Sequence, residues 1–106
     1  MALSEQEFRI KSDEALQQAR RGLMSLADAD AGFELELQNG VLNLVFESPS
    51  ETKFVVSPNA PVRQIWVSAM GKSYKLSWSP GQSAFSINGE TLAQLLDRLT
   101  RVFLQH

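Results

Sequence analysis

Phe33-Glu34-Leu35-Glu36-Leu37-Gln38-Asn39-Gly40-Val41-Leu42-Asn43-Leu44-Val45-Phe46 can be folded sensibly in one register. Asn39-Gly40 is the preferred pair for a two-residue type I′ turn, whose twist matches that of the strands it joins. That loop sets Phe33 opposite Phe46, Leu35 opposite Leu44 and Leu37 opposite Leu42. Six large apolar side chains then share one face. A slip of one residue would turn Glu34 and Glu36 inward, so the register is strongly specified. Glu34, Glu36, Asn43 and Val45 are left facing outward.

Downstream of the hairpin, Ser48-Pro49-Ser50 makes a turn and Thr52–Ser57 reads as a third strand. A Pro-bounded loop over 57–61 leads to Pro61-Val62-Arg63-Gln64-Ile65-Trp66-Val67-Ser68. Pro61 can open a strand but cannot donate to a central ladder. From Gln64 the run alternates with period two, which places Ile65 and Val67 on one face and Gln64, Trp66 and Ser68 on the other. If Ile65 and Val67 face the core, Trp66 is displayed in polar company, the composition of an interface hot spot. A reversed face or a covering loop would bury it instead. Met70-Gly71-Lys72 turns the chain into Ser73–Ser79, where Tyr74, Leu76 and Trp78 alternate with Lys75 and Ser77. After Ser79-Pro80-Gly81, a sixth strand over Ala84–Ile87 closes at Asn88-Gly89.

Helices flank this meander. Ser4 and Glu7 form a capping-box match, and Phe8, Ala15, Leu16, Ala19, Leu23 and Leu26 make an apolar stripe for a helix over 4–26. Thr91 and Gln94 repeat the capping signature before Leu92, Leu95, Leu96, Leu99 and Phe103, the stripe of a helix over 92–104. The fold class that follows is α+β: a single domain over 1–106, a two-layer sandwich with both helices on one face of a six-stranded antiparallel meander. The other sheet face meets water, and that favours an exposed Trp66. Little chain follows Phe103 to cover the groove between the helices, so a modest stability is expected.

Composition removes several functions. At 106 residues, 43% hydrophobic and 21% charged, the chain is an ordinary globular one with room for a single core. It has no cysteine, and its one histidine is the last residue. Thiol nucleophiles, thiolate metal sites, His-based acid–base catalysis and multi-His metal sites are thereby excluded, leaving no ordinary nucleophile–base pair. No apolar run approaches a membrane span. The N-terminus lacks the apolar stretch of a secretory signal, and its lack of a presequence sets the expectation of a bacterial cytoplasm over an organelle. Residues 1–51 carry ten acids and four bases, a balance of −6, whereas residues 52–106 carry two acids and six bases, a balance of +4. Such polarity orients an encounter with a protein partner, and it lacks the basic stripe of a nucleic-acid binder.

In order along the chain, Asn39-Gly40-Val41-Leu42-Asn43-Leu44, then Pro61 with Gln64-Ile65-Trp66-Val67-Ser68, then Tyr74 and Trp78, then Asn88-Gly89-Glu90-Thr91-Leu92 with Leu95-Leu96 resemble the frataxin family. The bacterial, CyaY-type branch is the nearer comparison. The resemblance covers nearly the whole chain, and the Gln-Ile-Trp block is its most specific part. It implies a non-enzymatic accessory protein of iron–sulfur cluster assembly, monomeric without metal, that binds the cysteine desulfurase and the scaffold protein. Slow oxidation of bound iron, ascribed to some of the family, would be a minor activity. On the open sheet face Gln64 and Trp66 are the implied contacts, with Asn59, Arg63 and Ser68 as neighbours.

The resemblance also implies weak iron (Fe2+/Fe3+) binding at an acidic ridge. The acids that could form it are Glu7, Asp13 and Glu14 on the first helix, Asp28 and Asp30 in the turn, and Glu34 and Glu36 on the first strand. A hard cation needs several such oxygens converging. Read without the resemblance, the same acids are a solvated helix face and ordinary loop residues. The chain also departs from the family: Gln17-Gln18-Ala19-Arg20-Arg21-Gly22 stands where the family crowds carboxylates, and two guanidiniums there repel a cation. Two other classes remain open on composition alone: a small acidic chaperone of the secretion type, which would be an obligate dimer, and a generic interaction domain without metal. The chaperone reading explains neither Gln64 and Trp66 nor the Asn88–Leu96 block.

Overall fold

The computed structural model describes residues 3–26, 33–47 and 50–105. Helix α1 spans Glu5–Leu26 and is followed by β1 (Phe33–Gln38), β2 (Val41–Phe46), β3 (Thr52–Asn59), a 3-10 turn at Ala60–Val62, β4 (Gln64–Ala69), β5 (Lys72–Ser79), β6 (Ala84–Ile87), β7 (Glu90–Thr91) and helix α2 (Leu92–Leu104). Every strand pairs antiparallel with its neighbour in sequence, so the sheet order is the chain order. Phe33 lies opposite Phe46, Leu35 opposite Leu44 and Leu37 opposite Leu42, the register expected of the Asn39-Gly40 turn.

The sheet has seven strands where the sequence reading expects six. Asn88-Gly89 does not end the meander. Both residues have positive φ, 52° and 82°, and they turn the chain back as a hairpin, so that Thr91 pairs with Ser86 and Glu90 with Ile87. Two residues are too short a strand to show an alternation. Strand β3 is also longer than expected and runs on to Asn59, with Pro58 opposite Ile65. Proline is tolerated there because β2 pairs with β3 only as far as Val56, and Pro58 interrupts no ladder on that side.

Both helices cover the same sheet face. Phe8, Leu16, Ala19 and Leu23 of α1 are buried with Leu92, Leu95, Leu96, Leu99 and Phe103 of α2 against the inward residues of the strands. Phe46 centres this core: its ring lies 5.1 Å from Phe33, 4.7 Å from Phe54 and 4.6 Å from Phe103, which locks the end of α2 onto the hairpin. Ser12 is the small residue in the α1 stripe, and it satisfies its buried hydroxyl by donating to the Arg9 carbonyl. Trp78 belongs to the helix side, edge-on to Phe85 and beneath the ammonium of Lys11.

Candidate functional site

The uncovered sheet face is built by the alternate residues of each strand. Ile65 and Val67 of β4 are buried, so Gln64, Trp66 and Ser68 point away from the helices. Pairing continues this face across the sheet. Trp66 lies between Ser57 and Lys75, Gln64 between Asn59 and Ser77, and Ser68 between Val55 and Ser73. Trp66 is 36% exposed, a large value for an indole on a central strand.

Its pose is fixed on two sides. The indole N–H donates to Gln64 Oε1 at 3.0 Å, and the Gln64 amide donates in turn to Ser77 Oγ at 3.3 Å. The Lys75 ammonium sits 5.0 Å from the centre of the Trp66 ring, within cation–π range. An aromatic held this way keeps its apolar surface on offer and loses little rotamer freedom when a partner covers it. Around it the face is mostly uncharged, with Asn43, Val55, Ser57, Ser68 and Ser73 on neighbouring positions. Lys75 and Ser77 are contacts of Trp66 and Gln64 that the sequence reading missed. The missing information is the register of β4 on β5, set by the Met70-Gly71 turn.

Asn59 is half-buried at the end of β3 opposite Gln64, and Ser68 is exposed one step beyond Trp66. Arg63 stands apart from these. It occupies the turn before β4 with φ 53°, and its guanidinium donates to the backbone carbonyls of Ala60 and Leu3.

Among the described residues the expected metal ligands do not gather. Glu7 is committed to the α1 cap: it accepts from the Ser4 N–H at 3.0 Å while its own N–H donates to Ser4 Oγ at 3.1 Å. The Ser4 backbone N–H first, and the Ser4 hydroxyl after it, hold the Glu7 carboxyl below its ordinary value, with Lys11 adding a smaller attraction. Asp13 accepts from the Gln17 amide at 2.9 Å, and Glu14 lies by Lys11 and Trp78 along a shallow groove. Glu34 and Glu36 alternate with inward Leu35 and Leu37, so they face the opposite side of the sheet from α1. Asp28 and Asp30 lie outside the described residues. Among the described residues no three Asp, Glu, His or Cys side chains converge on one point. Glu7, Asp13, Glu14, Glu34 and Glu36 by themselves therefore do not form the multidentate oxygen cage that a tightly held hard cation requires.

Among the described residues no helix is long and apolar enough to cross a membrane. A family model described as a frataxin-like domain matches residues 1–106. Among curated relatives, an iron–sulfur cluster assembly protein CyaY of Paraburkholderia phymatum is 32% identical over 87 residues, which is 82% of this chain and 78% of that protein. The protein of the same name from Azotobacter vinelandii is 30% identical over 102 residues, 94% of this chain and 88% of the relative. Among solved structures, the frataxin of Psychromonas ingrahamii superposes with a TM-score of 0.67 at 17% identity. It covers 97% of this chain and 91% of its own, and the likeness is one of fold.

Proposed function

We propose that this chain, which belongs to the frataxin-like domain family, acts in iron–sulfur cluster assembly as an accessory protein and not as an enzyme. In this reading it docks on the complex of cysteine desulfurase and scaffold protein through the open sheet face. Trp66 and Gln64 are the central contacts, Lys75 orients the ring, and Asn59 and Ser68 border them. The observation that carries the reading is an exposed indole held by Gln64 and Lys75 on a face that neither helix covers. An anchor of that kind characteristically accounts for 2 kcal/mol or more of an interface, roughly a thirtyfold change in affinity.

Trp66→Ala tests it. Binding to the desulfurase–scaffold complex, measured by calorimetry, should weaken by at least tenfold, while the thermal melting curve moves little. A large loss of stability with unchanged affinity would reject the reading.

Iron enters this proposal as cargo. Carboxylates dispersed over α1, the following turn and β1 would bind it weakly, with a dissociation constant on the order of tens of micromolar or above. Dispersed carboxylates and the guanidiniums of Arg20 and Arg21 support weakness over tight binding. Anaerobic titration with Fe2+ should broaden the NMR signals of Asp28, Asp30 and Glu34 first; broadening centred on the 52–106 half would reject the assignment.

A further inference from the structure

We infer that Arg63 is a positioning residue: its guanidinium ties the Leu3 carbonyl, ahead of α1, to the turn that launches β4, and so sets the pose of Gln64 and Trp66. The inference deepens the proposed function and rests on it only for the binding arm of its test. Arg63 holds φ 53°, a left-handed conformation that a residue with a Cβ keeps only where its surroundings repay the strain. Glycine would meet that backbone demand more easily, so what arginine adds is the side chain.

That side chain closes the turn upon itself. The Arg63 backbone N–H donates to the Ala60 carbonyl at 3.1 Å, and Nη1 donates to the same oxygen, whose two lone pairs serve both. Nε reaches the Leu3 carbonyl at 3.3 Å, across 60 residues of sequence. Leu3 itself packs partly buried against the core, so the far end of the tether is anchored. The next residue after Arg63 is Gln64, whose side chain accepts the Trp66 indole N–H and reaches Ser77. Movement of the turn therefore reaches the Gln64–Trp66 bond first. A planar guanidinium can serve two carbonyls lying in different directions, which the single ammonium of lysine does poorly.

The test uses the full chain with Arg63→Gly, Arg63→Lys, Leu3→Gly and the double substitution Leu3→Gly with Arg63→Gly. Leu3→Gly leaves the carbonyl in place and removes the side chain that anchors it. Hydrogen exchange of the Trp66 indole N–H, followed by NMR with the Trp78 indole as internal control, reads the pose directly in the unbound protein. Each single variant should speed Trp66 exchange by about fivefold, the share of one ordinary hydrogen bond, and leave Trp78 unchanged. The double variant should add little to either parent. Unchanged Trp66 exchange in Arg63→Gly, or full additivity in the double variant, would overturn the inference. Affinity for the desulfurase–scaffold complex should fall in parallel in Arg63→Lys and Leu3→Gly. A direct charge contact by Arg63 would instead leave both near wild type, and that result also overturns it. Failure of the wild-type chain to bind the complex would count against the proposed function alone, because the exchange experiment needs no partner.

Discussion

Trp66 and Leu44 lie two strands apart in the same sheet and on its opposite faces, and substitution should separate them. Leu44 is fully buried between Leu35 and Phe54, so Leu44→Ala should cost about 2–5 kcal/mol of unfolding free energy through lost transfer and a residual cavity. Lys75→Met should cost less than about 0.5 kcal/mol, because it keeps the aliphatic stem beside Trp66 and removes a solvated charge. Its effect belongs to the ring: the Trp66 fluorescence maximum should shift as the ammonium leaves, and affinity for the partner should fall severalfold. Urea denaturation and titration of the two variants check both halves, and a core-sized loss in Lys75→Met would show that the open face is structural. The exposure of Trp66 was legible in sequence because Ile65 and Val67 claim the other face by alternation. The Lys75 contact was not. It depends on the two-residue turn Met70-Gly71, with φ of 51° and 76°, and methionine at a left-handed position gives no warning of a type I′ geometry.

Among elements, the last hairpin and α2 form one unit joined at Thr91. That residue ends β7 and also caps α2: its hydroxyl accepts from the Gln94 N–H at 3.3 Å, and the Gln94 side chain accepts from the Thr91 N–H at 3.0 Å. Thr91→Ala should therefore cost about 1 kcal/mol, measured by chemical denaturation, with the loss of protection starting in the first turn of α2. Beside it Arg98 grips Glu90 with two charge-assisted bonds, of 2.8 and 2.9 Å, and so staples β7 to the helix. The Arg98 bonds hold the Glu90 carboxyl below its ordinary value; desolvation opposes them, and a smaller Coulomb attraction to Arg98 adds to them. A depressed carboxylate stabilises the fold above its unfolded pKa, and that contribution disappears as pH falls through the lower folded value. Glu90→Gln should consequently flatten the acid limb of the stability curve, with a small effect at neutral pH because Arg98 is half exposed. An acid limb identical to wild type would remove the staple from the account. Both helices and the first hairpin were legible because their periods extend over several turns or several cross-strand pairs. Strand β7 was not, since two residues cannot display a period, although Thr91-Gln94 had already marked where the helix begins.

Over the whole molecule, the meander converts an asymmetry along the chain into one across a surface. Strands lie in the sheet in sequence order, so on the open face the two glutamates of β1 are set to one side of the lysines of β3 and β5. Glu34 and Glu36 stand on the β1 edge, Lys53 on β3 and Lys75 on β5, with the indole of Trp66 on the strand between the two lysines. Strand spacing of about 4.8 Å puts Glu34 and Lys53, two strands apart in one row, roughly 10 Å from each other. That is about one Debye length at 0.1 M salt, so each sign is felt separately by an approaching surface. A partner with the reverse polarity would be turned into register before contact, and the benefit would appear in the association rate. Raising salt from 50 to 500 mM should slow association with the desulfurase–scaffold complex by about tenfold and leave dissociation nearly unchanged. Reversing the acidic edge with Glu34→Lys and Glu36→Lys should flatten that salt dependence while leaving Trp66 in place and the melting curve close to wild type. Stopped-flow mixing across the salt range measures both, and an association rate indifferent to salt in the wild-type protein would mean that the apolar anchor at Trp66 finds its partner without electrostatic guidance.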